Sequence, residues 1–130
     1  MKKNINIVFY VFILIFSCAF VQKNLMHKDC SMLHEGTFVY QSDDGKVKVL
    51  FNGKKHVEYH NQGKYFIKSS IKWVNDCEYN TILKEVTLPD FPFKKGTIMN
   101  VKIDKVDGET VFYTSMINGI PFEGKLTKVK

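Results

Sequence analysis

His56-Val57-Glu58-Tyr59-His60 brings together the side chains of this chain best suited to metal or acid–base chemistry. On an extended strand, residues two apart share a face, so His56, Glu58 and His60 point one way and Val57 and Tyr59 the other. Same-face neighbours lie about 6.6 Å apart and the outer imidazoles about 13 Å apart, so one ion can bridge two of the three. The order is not the helical His-Glu-x-x-His arrangement, because Glu58 stands midway between the histidines. A metal-dependent enzyme, if this chain were one, would use His56, Glu58 and His60. The alternative is a solvated polar strand face, and that is the expectation adopted, with no catalytic residue and no bound metal. The remaining acids offer no general acid–base pair: Asp43 and Asp44 open a turn, Asp107 and Glu109 flank another, and Asp76 and Glu78 adjoin a cysteine. No Gly-x-Ser-x-Gly elbow, phosphate-cradling loop or dinucleotide fingerprint is present, so no cofactor is expected.

The three cysteines, Cys18, Cys30 and Cys77, carry the second kind of chemistry. Lys2 and Lys3 precede an unbroken apolar run from Ile7 to Phe16 and small residues at Ser17 and Ala19. A positive start, a short apolar stretch and a small-residue exit read as a secretory signal peptide over 1–17. The run is too short for the roughly 20 residues of a bilayer-crossing helix. Ile15-Phe16-Ser17-Cys18 has the form of a bacterial lipobox, with Phe16 where a smaller residue is usual. Cys18 is therefore the expected lipidation site, with ordinary cleavage after Ala19 as the alternative. Lipidation of Cys18 leaves Cys30 and Cys77 as an even pair in an oxidising compartment, where a disulfide is the natural state and two free thiols the alternative. The location that follows is the bacterial envelope, as a periplasm-facing lipoprotein anchored by its N-terminal lipid. A soluble periplasmic or secreted protein is the alternative.

At 130 residues the chain holds one domain. All 19 basic residues are lysine, and setting aside Lys2 and Lys3 leaves 17 lysines against 13 acids. Arginine, the residue suited to bidentate phosphate and guanine recognition, is absent, and the lysines are scattered on outward strand positions. No nucleic-acid partner is expected.

What must position these residues is a series of strands. Residues 18–35 have weak periodicity and read as a tether, and 36–130 as one β-domain. From Gly36 onward, alternating runs are punctuated by Asp44-Gly45, Asn52-Gly53, Gln62-Gly63, Asp107-Gly108 and Asn118-Gly119, dipeptides of tight hairpins. Tyr65, Ile67, Ser69, Ile71 and Trp73 alternate with Lys64, Lys68, Ser70 and Lys72, the pattern of a strand with one buried and one wet face. The runs place strands at about 36–41, 46–51, 54–60, 64–74, 77–87, 97–106, 109–117 and 120–129. Short turns make neighbours in sequence neighbours in space, except across the proline-containing stretch 88–96. Eight such strands hide their edges by closing into an all-β, antiparallel, up-and-down barrel. A two-sheet β-sandwich split at that stretch is the alternative.

Trp73-Val74-Asn75-Asp76-Cys77-Glu78-Tyr79, with Cys30 preceding the opening Gly36-Thr37-Phe38, resembles a pattern in small exported bacterial lipocalin-like β-barrel proteins of unknown function. The likeness runs over most of residues 30–130. It implies the barrel but no activity. The alternation turns Phe38, Tyr40, Tyr65, Trp73, Tyr79, Tyr113 and Phe122 inward, where they either fill the core or line a pocket; a mostly filled interior is expected. Phe91 and Phe93 either cap the barrel mouth or form a partner patch. The leading expectation is a non-enzymatic barrel binding a small hydrophobic ligand, with Tyr40, Tyr65, Trp73, Tyr79, Tyr113 and Phe122 lining the pocket. An envelope protein–protein interaction or hydrolase-inhibitor module is the second.

Overall fold

The computed structural model describes residues 29–130. Eight strands follow in order: β1 (Glu35–Ser42), β2 (Gly45–Asn52), β3 (Lys55–His60), β4 (Tyr65–Asn75), β5 (Glu78–Val86), β6 (Ile98–Asp107), β7 (Thr110–Ile117) and β8 (Ile120–Lys128). Each pairs antiparallel with the next, and β8 returns to β1, giving a closed up-and-down barrel. The ring excludes the sandwich. The signal peptide at 1–17 and the lipidation site Cys18 lie outside the described residues.

The turns follow from residues that accept positive φ. Asn118 and Gly119, at φ 51° and 78°, make the two-residue link between β7 and β8 that matches the right-handed twist of its strands. Extra residues on one side of a pairing, Val74 on β4, Lys84 on β5 and Asp104 on β6, bend the sheet towards closure. Alternation then divides the strands: on β2, Val47, Val49 and Phe51 are buried while Lys46 and Lys48 are exposed.

The two ends of the barrel differ. One end is plugged. Residues 29–35, expected to belong to a tether, instead fold a 3₁₀ turn (Ser31–Leu33) that crosses this opening, with Leu33 fully buried in the core and Cys30 nearly so. Cys30 is disulfide-bonded to Cys77 in the β4–β5 turn, as expected from cysteine parity. The His34 ring stacks on Trp73 at 3.6 Å and its Nε2 donates to the Asp76 carbonyl at 3.1 Å. Gly53 N–H donates to His34 O, Trp73 Nε1 donates to Gly53 O, and Lys128 Nζ donates to Met32 O. The plug thus touches the β2–β3 turn, β4, the β4–β5 turn and β8. Beneath it Phe38, Val47, Val49, Phe51, Ile71, Tyr79, Val101, Ile103, Val111 and Leu126 form the core.

The other end carries the Asp43–Asp44, Asn61–Lys64 and Asn118–Gly119 turns and the long β5–β6 connection containing Phe91 and Phe93. Here the ring is loosely joined. β1 and β8 pair only at Phe38–Lys128 and Val39–Thr127, with Thr37 bonding Val129 and Lys130, whereas β1 and β2 pair over eight positions. Beyond Val39 the two strands part, and a cleft of about 540 Å³ opens between them, bordered by Tyr40, Tyr113 and Gly124.

Candidate functional site

The Gly53-Lys54 turn sets the register that places Phe51 opposite His56 and Val49 opposite Glu58; on the other side Ser69 faces His56 and Ile67 faces Glu58. Because Phe51, Val49, Ile67 and Ser69 all point inward, His56, Glu58 and His60 must do so too. The solvated-face expectation is therefore corrected: these three side chains line the inside of the barrel. Cross-strand pairing, not the composition of β3, decides which face goes in.

His56 and Glu58 form one wall of an internal recess of about 190 Å³ at the loop end. Ile67, Ser69, Thr81, Leu83, Thr97, Met99 and Ile117 add to the walls, as do Phe91 and Phe93, which pack edge to face at 5.7 Å. The interior is thus filled towards the plug and holds a partly open recess towards the loops, lined in part by Phe91 and Phe93. They reach it because Gly96 N–H donates to Leu83 O and Leu83 N–H donates to Thr97 O, which dock the end of the connection onto β5.

Glu58 is the one carboxylate directed inward among the described residues. Its Oε2 accepts from His60 Nε2 at 3.2 Å and from the Tyr40 hydroxyl at 3.4 Å, and its side chain keeps 20% of its exposure. Burial alone pushes this carboxyl up, but the hydrogen bond from His60, the facing imidazoles and the Tyr40 hydroxyl outweigh it, so Glu58 titrates below the usual carboxylate range and is ionised at neutral pH. His56 is 6% exposed, and burial lowers its pKa from the ordinary 6.5 despite the attraction of Glu58, so its ring is neutral. Its Nδ1 has no hydrogen-bond partner. Burial, followed by the Glu58 charge, pushes Tyr113 up to about 12; Tyr40 and Tyr79 are also raised, first by burial. All three phenols stay protonated. Among the described residues no three His, Cys, Asp or Glu side chains converge to hold a metal ion.

The aromatic candidates disperse. Tyr40 and Tyr113 border the seam cleft, and only Tyr40 reaches Glu58. Tyr65 faces a surface cleft beside His60 and Pro89. Trp73 is held by the plug, and Tyr79 is buried core. Phe122 is 50% exposed, contrary to its expected inward position, because β8 has already parted from β1 there. Those six aromatics therefore do not share one pocket. The recess is lined instead by residues the sequence left unremarked, chiefly Ser69 and Thr81, whose hydroxyls occupy buried positions on β4 and β5. A usable signal existed: Ser69 interrupts the apolar row Tyr65, Ile67, Ile71, Trp73.

Among the described residues no helix is long and apolar enough to cross a membrane. No protein family matches this chain, and neither a curated protein nor a solved structure matches it.

Proposed function

We propose that this protein is an exported, lipid-anchored, non-enzymatic barrel of lipocalin-like type that takes a small, mainly apolar molecule into the recess beneath Phe91 and Phe93. The observation that carries this reading is the recess itself, a partly open space of about 190 Å³ in a barrel whose other half is tightly filled. An engineered cavity of about 150 Å³ accepts benzene, so the space suits one ring-sized body. Export is supported by the leader-like N-terminus and by the Cys30–Cys77 disulfide, which suits an oxidising compartment. Lipid attachment at Cys18 would hold the barrel at the membrane; Cys18→Ser should then release it from membranes, and unchanged membrane association counts against the anchor.

Binding is tested by titrating toluene into the purified protein and into Ser69→Phe, which fills the recess. Wild type should bind and Ser69→Phe should not, with both giving the same circular dichroism spectrum. No toluene binding to wild type, or equal binding to both, overturns the reading.

A second reading, engagement of another envelope protein, is favoured by a specific feature beside the seam. Ile120 and Phe122 are exposed there at 58% and 50%, on the unpaired part of β8. Phe122→Asp with Ile120→Lys should abolish capture of a partner from envelope extracts. Capture unaffected by the pair of changes removes this reading.

A further inference from the structure

The recess is not uniformly greasy, and its polar atoms are of one kind. Both hydrogen bonds received by Glu58 go to Oε2, which leaves Oε1 uncommitted among the described residues. Two residues along the same strand face, the buried His56 Nδ1 has no partner. The strand rise sets these side chains about 6.6 Å apart, a spacing that one nitrogen placed between them can bridge with a hydrogen bond to each. Ser69 and Thr81 add hydroxyl oxygens to the same walls. No lysine lines the recess, and the titratable groups around Glu58 are the imidazoles of His56 and His60 on its own strand and the neutral phenols of Tyr40, Tyr79 and Tyr113 on β1, β5 and β7. Glu58, paired with His60 through Oε2, thus presents its other carboxylate oxygen to a small, partly open recess, beside an orphaned imidazole nitrogen able to accept.

We infer that the ligand is a small organic cation, an ammonium or amidinium carried on a ring-sized apolar body, with its N–H groups given to Glu58 and to His56 Nδ1 and its ring held under Phe91 and Phe93. This deepens the binding reading and rests on it. An anion would meet the Glu58 carboxylate, and no lysine lines the recess to balance it. A neutral apolar molecule would leave the buried His56 Nδ1 without a donor, and a buried acceptor left unpaired weakens a complex. An ammonium supplies three donors, enough for both acceptors and one wall hydroxyl.

The test uses four probes of nearly equal size at pH 7.5: benzylamine, benzyl alcohol, toluene and benzoate, titrated calorimetrically into the purified full-length protein. Benzylamine should bind at least tenfold more tightly than benzyl alcohol or toluene, and benzoate should not bind. Glu58→Gln, which keeps an oxygen for His60 and Tyr40, should bring benzylamine down to the affinity of benzyl alcohol. His56→Phe should weaken benzylamine severalfold and leave toluene unchanged. If toluene and benzylamine bind equally to wild type, the cation inference is wrong while the binding reading stands; benzoate binding as tightly as benzylamine has the same meaning. If no probe binds, both fail. The wild-type comparison of four probes decides the matter even if a substitution prevents folding.

Discussion

Reduction of the Cys30–Cys77 bond is the perturbation whose size follows most directly from the structure. The cross-link spans 47 residues. In the chain-entropy treatment a loop of that length contributes about 4 kcal/mol by restricting the unfolded chain. For a domain of roughly 100 residues, 1 kcal/mol moves the melting temperature by about 4–8 °C, so reduction should lower it by roughly 20 °C. Reduction is preferable to substitution because Cys30 is core and its replacement would add a packing loss to the entropic one. The assay is urea unfolding with and without a phosphine reductant, followed by far-ultraviolet circular dichroism and by Trp73 fluorescence. Trp73 stacks on His34 within the plug, so its emission reports whether the plug leaves before the sheet unfolds. Oxidised and reduced proteins agreeing within about 1 kcal/mol would show that the unfolded chain is not the state the bond restrains.

Acid should destabilise the barrel in two stages. Below the ordinary histidine value of 6.5 the unfolded chain protonates His56 while the folded one does not, so stability falls as pH drops from that point. Below 4.5 the depressed Glu58 adds its own loss, since the unfolded carboxyl protonates first. Melting temperature against pH checks both, and His56→Phe should flatten the first stage alone. Gly124→Ala should cost about 1–3 kcal/mol, because its methyl carbon would come within 2.5 Å of the Tyr113 ring; an unaltered melt would show that the ring moves freely. Phe38→Ala, removing a fully buried ring at the centre of the core, should cost about 3–5 kcal/mol in denaturant titration.

The strands and their sequential pairing were legible because they rest on local signals: a two-residue alternation and turn residues such as Asn118-Gly119. The plug was not. Its partners, Gly53, Trp73, Asp76 and Lys128, lie far along the chain, and apart from Cys30, which pairs with Cys77, nothing in the run from Asp29 to His34 points to them. The polar row on β3 was half legible. Alternation grouped His56, Glu58 and His60, but Val57 and Tyr59 on the opposite face made the wrong side look greasy. The hairpin register held the answer, since the Gly53-Lys54 turn sets Phe51 against His56. The recess depended on the path of a connection without periodicity, which brings Phe91 and Phe93 to its lining.

The join between the first and last strands has a mechanical consequence. A cylinder fastened along its length everywhere but one short stretch will yield at that stretch, so amide protons near Tyr40 and Glu123 should exchange with deuterium soonest. Yet the leading end of β1 is covalently moored, through Cys30, to the far wall at Cys77. Parting of the weak join is therefore a reversible flexing of the free half, after which the strand is returned to its place instead of being left to pair with a neighbouring molecule.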